Sequence, residues 1–251
     1  MNQFLAFTVH APLSSWGDIA VGERRGTWEM PSRSATIGLV GAALGVRRED
    51  HVTQQELATA FGIGVRMDVA GTTMEDFHTA QSVSRLNMRR SGARTRAAMM
   101  AHKDRVTMLS RRAYRCDALF TSMLWLERTS SPWSLSDVKA ALQEPKFALY
   151  AGRRANVLAW PLFPELLVAD SLAAAFALRP PVPQETAALP VLRPKSGWGR
   201  LVAYDGNASI PTGMPMGGHR AVRRDQPGDR RTWLFSDRSV EFNELPEVTH
   251  P

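Results

Sequence analysis

The 251 residues carry 31 Lys and Arg against 24 Asp and Glu, a formal net charge of +7, with 44% hydrophobic and 22% charged residues. That composition excludes wholesale disorder, and the length allows one large domain or two small ones, each able to bury a core. A single cysteine, Cys116, excludes an intrachain disulfide and any zinc site built on paired cysteines.

The opening residues, MNQFLAFTVHAPLSSWGD, lack the basic n-region and small-residue cleavage pattern of a signal peptide. The most apolar run, Ile37 to Val46, is far short of the roughly 20 residues that a membrane span requires. A reducing cytoplasm is the expected compartment, with no membrane contact. Phe4 to Val9 is apolar on both faces and stops at Pro12, the pattern of a buried central strand. A loop rich in Gly and Pro follows, carrying Trp16 and Trp28. Ser34 caps a predicted helix through about Val46, with Gly38, Gly41 and Gly45 on one face. Interior glycine costs a helix about 1 kcal/mol, so three on one face imply close packing against a sheet or a backbone that another molecule approaches. Thr53 to Glu56 reads as a capping box opening a second helix through Phe61, and Ile63 to Val69 as a strand.

From Arg85 to Arg115 the chain holds nine arginines and one lysine against one acid, Asp104, so this stretch of 31 residues is net +9 and the remainder sums to −2. Its apolar residues (Leu86, Met88, Met99, Met100, Met108, Leu109) are too sparse to found a core. Cys116 to Leu126 then reads as a strand, Ser134 and Asp137 begin a helix that Pro145 ends, and FALYAGRRAN and VLAWPLF are extended. The order is β-α-β, basic insertion, β-α-β. It predicts an α+β chain with the ferredoxin-like split β-α-β arrangement, interrupted between its second and third strands. Residues 1–178 are assigned to this domain, with 77–115 as its insertion. Residues 179–251 form a loop-rich C-terminal segment with short strands at Leu201 to Tyr204 and Thr232 to Phe235.

Six scattered histidines stand at no metal-ligand spacing. GLVGAALG lacks the Lys-Ser/Thr of a phosphate loop, and GIG at Gly62 lacks the third glycine of a dinucleotide fingerprint. No Gly-x-Ser-x-Gly elbow occurs, and Cys116 falls in a predicted strand. No metal, cofactor or catalytic nucleophile is expected. The basic stretch reads either as a solvated helical face or as a nucleic-acid contact. Missing acids at i±4 and the nine-to-one excess of arginine over lysine favour the latter, because the planar guanidinium fork suits phosphate. With no aromatic between Ala80 and Ala113, the stretch grips a backbone, and base stacking falls to Trp16, Trp28 or Tyr114.

Four blocks carry a resemblance: Ala11-Pro12-Leu13-Ser14-Ser15-Trp16-Gly17; Arg25-x-Thr27 leading to Pro31-Ser32-Arg33-Ser34 and GAALGVRRED; Asp76-Phe77-His78-Thr79, followed by Arg112-x-Tyr114-x-Cys116-Asp117-Ala118-x-Phe120; and Tyr150-Ala151-Gly152-Arg153-Arg154 with Pro161-Leu162-Phe163. In this order, over roughly residues 4 to 170, the chain resembles the CRISPR-associated CasD family of the RAMP superfamily, whose members cap the 5′ end of the guide RNA in the type I-E Cascade complex. The resemblance implies an RNA-recognition-like ferredoxin fold with an inserted β-hairpin thumb. It implies no catalysis, and as partners the crRNA 5′ handle, a CasC-like backbone subunit, a CasA-like large subunit and, through the complex, target DNA. The basic insertion falls where that thumb belongs. The expected RNA contacts are Trp16, Arg25, Arg33, His78, Arg85, Arg89, Arg90, Arg94, Arg96, Arg105, Arg111, Arg112, Tyr114, Arg153 and Arg154. Bases are expected on the ferredoxin-like surface, as single-stranded RNA commonly lies on one. Two alternatives stay open: an ion pair of Arg153 or Arg154 with Asp76 or Asp117, and a metal-independent endoribonuclease, as in relatives of another CRISPR subtype, drawing on His78, Tyr114 and the arginines.

Overall fold

The computed structural model describes residues 1–18, 20, 22–92, 94–128, 131–179, 181–184, 187, 201–228 and 234–245. Strand β1 (Asn2–His10) is buried along nearly its whole length, as its unbroken apolar run requires. Two short strands, β2 (Leu13–Ser14) and β3 (Arg24–Arg25), follow in the loop. Helix α1 (Arg33–Leu44) begins two residues earlier than expected: Ser32, not Ser34, is the cap, its hydroxyl accepting from Ala35 N. Helix α2 (His51–Ala60) is likewise capped upstream, by the Asp50 carboxylate on Thr53 N, and runs directly into β4 (Phe61–Val69). Strand β5 (Thr72–Val83), helices α3 (Arg85–Ser91) and α4 (Arg96–Ala101), and strand β6 (Arg105–Cys116) make up the basic insertion. A turn at Asp117, which takes a positive φ of 55°, separates β6 from β7 (Leu119–Leu126), so the single strand expected from Cys116 is two. Helix α5 (Leu135–Gln143) starts with the expected reciprocal cap, Ser134 with Asp137. Strand β8 (Glu165–Ala169) and helix α6 (Leu172–Leu178) come next. The C-terminal strands are β9 (Leu201–Asp205), β10 (His219–Pro227) and β11 (Phe235–Glu244). Thr232 and Trp233, and most of the connector after Arg179, lie outside the described residues.

The architecture is mixed α+β. One sheet runs β10-β11-β9-β4-β7-β1-β8 with every described pair antiparallel, and a second joins β2, β3, β5 and β6. Alternation along each central strand feeds two cores. Leu5, Phe7 and Val9 of β1, with Ile63, Val65, Phe120 and Leu124, pack under α1, α2 and α5. Phe4, Ala6, Met123 and Trp125 point the other way, against Leu172 and Phe176 of α6 and Val202 and Tyr204 of β9. Both faces of the central strands are therefore buried. Among the described residues no helix is long and apolar enough to cross a membrane.

The three helix glycines divide. Gly45 is a left-handed C-cap (φ 78°), and a Cβ at Gly38 would meet open space. A Cβ at Gly45 would meet the flexible Lys146 side chain at 2.5 Å, whereas Gly41 faces another helix, its absent Cβ lying 2.9 Å from Leu57 Cδ2 of α2. Gly41→Val is expected to lower stability by about 1–3 kcal/mol through overpacking. Urea titration checks this, and an unchanged midpoint would show that α2 moves aside freely.

The C-terminal strands are fastened to this body by charge. Asp205, at the end of β9, accepts from Ile63 N (2.9 Å), Arg33 Nη1 (2.5 Å) and Arg238 Nη1 (2.5 Å). Asp225 of β10 accepts from Arg33 N (2.8 Å) and from Arg238 Nε and Nη2 (3.0 and 2.9 Å). Four charged side chains from α1, β9, β10 and β11 thus meet in one buried network. Arg223 sits beside it, between the rings of Trp28 (4.6 Å) and Phe242 (4.9 Å), where burial pushes its pKa down.

Candidate nucleic-acid interface

Strands β5 and β6 pair over all twelve residues, from Thr72↔Cys116 to Val83↔Arg105. At roughly 3.4 Å per residue this ribbon is about 40 Å long. Its base is held by β2 (Leu13↔Cys116, Ser14↔Arg115) and by β3, which pairs Arg24 and Arg25 with Arg111 and Arg112. The Ser14 and Ser15 hydroxyls donate to Arg115 O and Ala113 O. Beyond that base, most of the ribbon is exposed.

At the tip, local capping explains two short helices in a segment without a core. Ser84 caps α3 on Asn87 N, Gly92 ends it in the left-handed region (φ 66°), and Thr95 caps α4 on Ala98 N. Arg89 and Arg90 stand in the last turn of α3, where the helix dipole favours cations. Some of the arginines serve the arm itself. Arg96 donates to Gln81 O (2.6 Å) and Arg105 to Met100 O (2.6 Å), closing the tip. Arg111 pairs with Glu75 (3.2 Å) and lies over Phe77, while Arg115 pairs with Glu29 (3.3 Å). Arg89, Arg90, Arg94 and Arg112 are exposed and have no ion-pair partner among the described residues. Arg85 opens α3, but its side chain lies outside the described set.

The Gly152 turn docks on the base of the arm. Tyr150 and Val157 form a bridge, Ala151 O accepts from Ser15 N (3.1 Å), and Gly152 has φ 84° with Ser15 O 1.6 Å from where a Cβ would sit. Only glycine fits there. Arg153 reaches back, donating from Nη2 to Arg25 O (3.1 Å) and lying 4.4 Å over the Tyr114 ring. Its Nη1 is buried without a hydrogen-bond partner. Arg154 is exposed and has no partner among the described residues. The ion pair with Asp76 or Asp117 considered for these arginines does not form. His78 Nε2 instead lies 2.5 Å from Asp76 Oδ2, halfway along the ribbon. Arg25 is exposed on β3 and folds back on Gly22 O and Arg24 O.

Burial bears on three of the expected contacts. Arg33 is 6% exposed and spends its guanidinium on Asp205, Ala58 O (2.9 Å) and Phe61 O (2.7 Å), so it holds the body together. Trp16 is buried with its ring edge-on to Phe120, and Tyr114 is buried beneath Arg153, so neither presents an open face to a base. The sheet surface is not open to RNA either. Helix α6 packs on one part of that face, over Phe4, Ala6, Met123 and Trp125. On another part Arg66 bonds Asp68 (2.5 Å) and Phe176 O (2.9 Å), Thr121 donates to Asp68 (2.6 Å), and Arg179 donates to Thr8, so the polar groups are spent on one another. The exposed aromatic side chains among the described residues are Phe77, Phe147 and Tyr150. Tyr150 stands in a block quoted from the sequence, yet nothing local separates an exposed tyrosine from a buried one.

The family described as CRISPR-associated protein (Cas_Cas5) matches residues 4–234. The chain is 32% identical over 171 residues to "CRISPR system Cascade subunit CasD" of Escherichia coli (strain K12), covering 65% of this chain and 70% of that protein. Its fold is similar to a chain of the structure titled "CRISPR RNA-guided surveillance complex", with a TM-score of 0.64, 23% identity, and coverage of 97% of this chain and 91% of that one. It is also similar to one titled "Crystal structure of Cas protein", with a TM-score of 0.61, 25% identity, and coverage of 97% and 95%.

Proposed function

The chain belongs to the Cas5 family of CRISPR-associated proteins, which includes the CasD subunits, and from that premise we propose that it is a non-catalytic RNA-binding subunit of a Cascade surveillance complex. Its ligand is the 5′ handle of the crRNA, and its role is to anchor neighbouring subunits for RNA-guided DNA targeting in the cytoplasm. The observation that carries this reading is the arm: a ribbon with its basic excess turned to solvent, four of its arginines without an ion-pair partner among the described residues. A surface of that kind binds phosphate by releasing counterions.

The strand order β4-β7-β1-β8, all antiparallel, supports a ferredoxin-like reading of residues 1–178, with β1, β4, β7 and β8 as its four strands. The β5–β6 ribbon is the thumb of that reading, and residues 179–251 add strands at the β4 edge. The RNA surface we propose comprises Arg25, His78, Arg89, Arg90, Arg94, Arg96, Arg105, Arg111, Arg112, Arg153 and Arg154. A CasC-like backbone subunit and a CasA-like large subunit are the proposed protein neighbours, with target DNA reached through the complex.

Co-expression with sibling subunits from a CRISPR locus, followed by affinity purification and sequencing of bound RNA, tests this. The expected result is a stable complex enriched in RNAs that share one repeat-derived 5′ end. Repeat RNA incubated with the purified chain in EDTA stays intact; cleavage abolished by His78→Ala would instead make the protein an endoribonuclease.

A further inference from the structure

With Trp16 and Tyr114 buried, the exposed aromatic rings among the described residues are Phe77 on the arm, already beneath the Arg111 guanidinium, and Phe147 and Tyr150 on the body. We infer that Tyr150 is the base-stacking residue of the RNA site, with Arg154 beside it as the phosphate contact. The inference rests on the RNA-binding reading and assigns it a residue.

Tyr150 is 40% exposed, whereas the other described tyrosines, Tyr114 and Tyr204, are each 8% exposed. It stands on a turn whose backbone is fixed at several points: the Tyr150–Val157 bridge, Ala151 N on Asn156 O (2.8 Å), Ser15 N on Ala151 O, and Arg153 clamped between Tyr114 and Arg25 O. A turn held this way gives up little backbone entropy when a base stacks on its side chain. Its neighbours along the chain repel no phosphate. Between Glu144 and Glu165 the chain carries Lys146, Arg153 and Arg154 and no acid. Arg153 Nη1, buried and unpartnered, adds a donor at the same turn. The turn also touches the root of the arm through Arg25 O and Tyr114, so a strand gripped by the arm reaches Tyr150 without crossing the body. A single-stranded polyanion with splayed bases meets all of these features, because every base has a face to stack and every linkage a charge.

The test uses the full chain and two single-stranded RNA probes of equal length and charge: a ten-nucleotide oligo(A), and the same oligomer with its bases replaced by abasic sites. Tyr150→Ala is expected to weaken oligo(A) binding about tenfold, the scale of one stacked base. It should leave the salt slope and the abasic affinity unchanged, whereas Tyr150→Phe keeps wild-type affinity for both. Because Tyr150 is exposed, the variants should melt with the wild type, which thermal unfolding monitors. Equal binding of oligo(A) by Tyr150→Ala and wild type overturns the assignment and leaves RNA binding standing. Failure of the wild type to bind either probe overturns both. If Tyr150→Ala binds oligo(A) normally but no longer assembles with sibling subunits, the turn is a protein contact and the inference is wrong.

Discussion

Replacing Arg89, Arg90 and Arg94 together by alanine should flatten the dependence of log affinity on log salt by about 2 when the protein binds single-stranded RNA. Each phosphate neutralised on a single strand contributes roughly 0.7 to that slope, and the three side chains have no competing ion-pair partner among the described residues. The measurement is a series of binding isotherms between low and moderate salt. Arg96 and Arg105 provide the internal contrast. They already donate to Gln81 O and Met100 O, so their removal should loosen the tip as well as lower affinity. An unchanged slope in the triple variant would mean that the tip faces protein.

The other large effect lies far from the arm. Asp205→Ala should destabilise the chain by about 3–5 kcal/mol, because it leaves two buried guanidiniums, Arg33 and Arg238, without their shared carboxylate and strips Ile63 N of its acceptor. Arg238 keeps Asp225, so the exposed deficit falls on Arg33. Denaturant unfolding reads the loss, and RNA affinity of the folded fraction should not change. Arg33→Met tests the same network from the other side. If Arg33→Met instead melted normally and lost RNA, the burial of Arg33 would be misread and the side chain would belong to the ligand surface.

A reading in which Arg33 binds RNA and a structure in which it is locked inside differ by one fact: its partner is 172 residues away. Pattern within a window sees charge and period. It does not see a carboxylate arriving from the end of β9. The same limit explains Trp16 and Tyr114, whose burial depends on Phe120 and on Arg153 from the Gly152 turn. It also explains why the sheet surface is closed, since α6 packs on it from later in the chain.

What local chemistry determines came through from the residues. The two-faced apolar run of β1, the Ser134–Asp137 cap, the β-α-β order and the position of the basic insertion all rest on neighbours within a few positions. So does the concentration of +9 in one stretch, because charge needs no fold to be counted. Tertiary structure alone decided which arginines of the chain are spent and which remain available. It joined the C-terminal strands to the β4 edge, and left Tyr150, on a turn clamped by Ser15 and Arg25, as the exposed tyrosine. The reason is physical: desolvation and pairing are properties of a site in three dimensions, set by groups that only folding brings together.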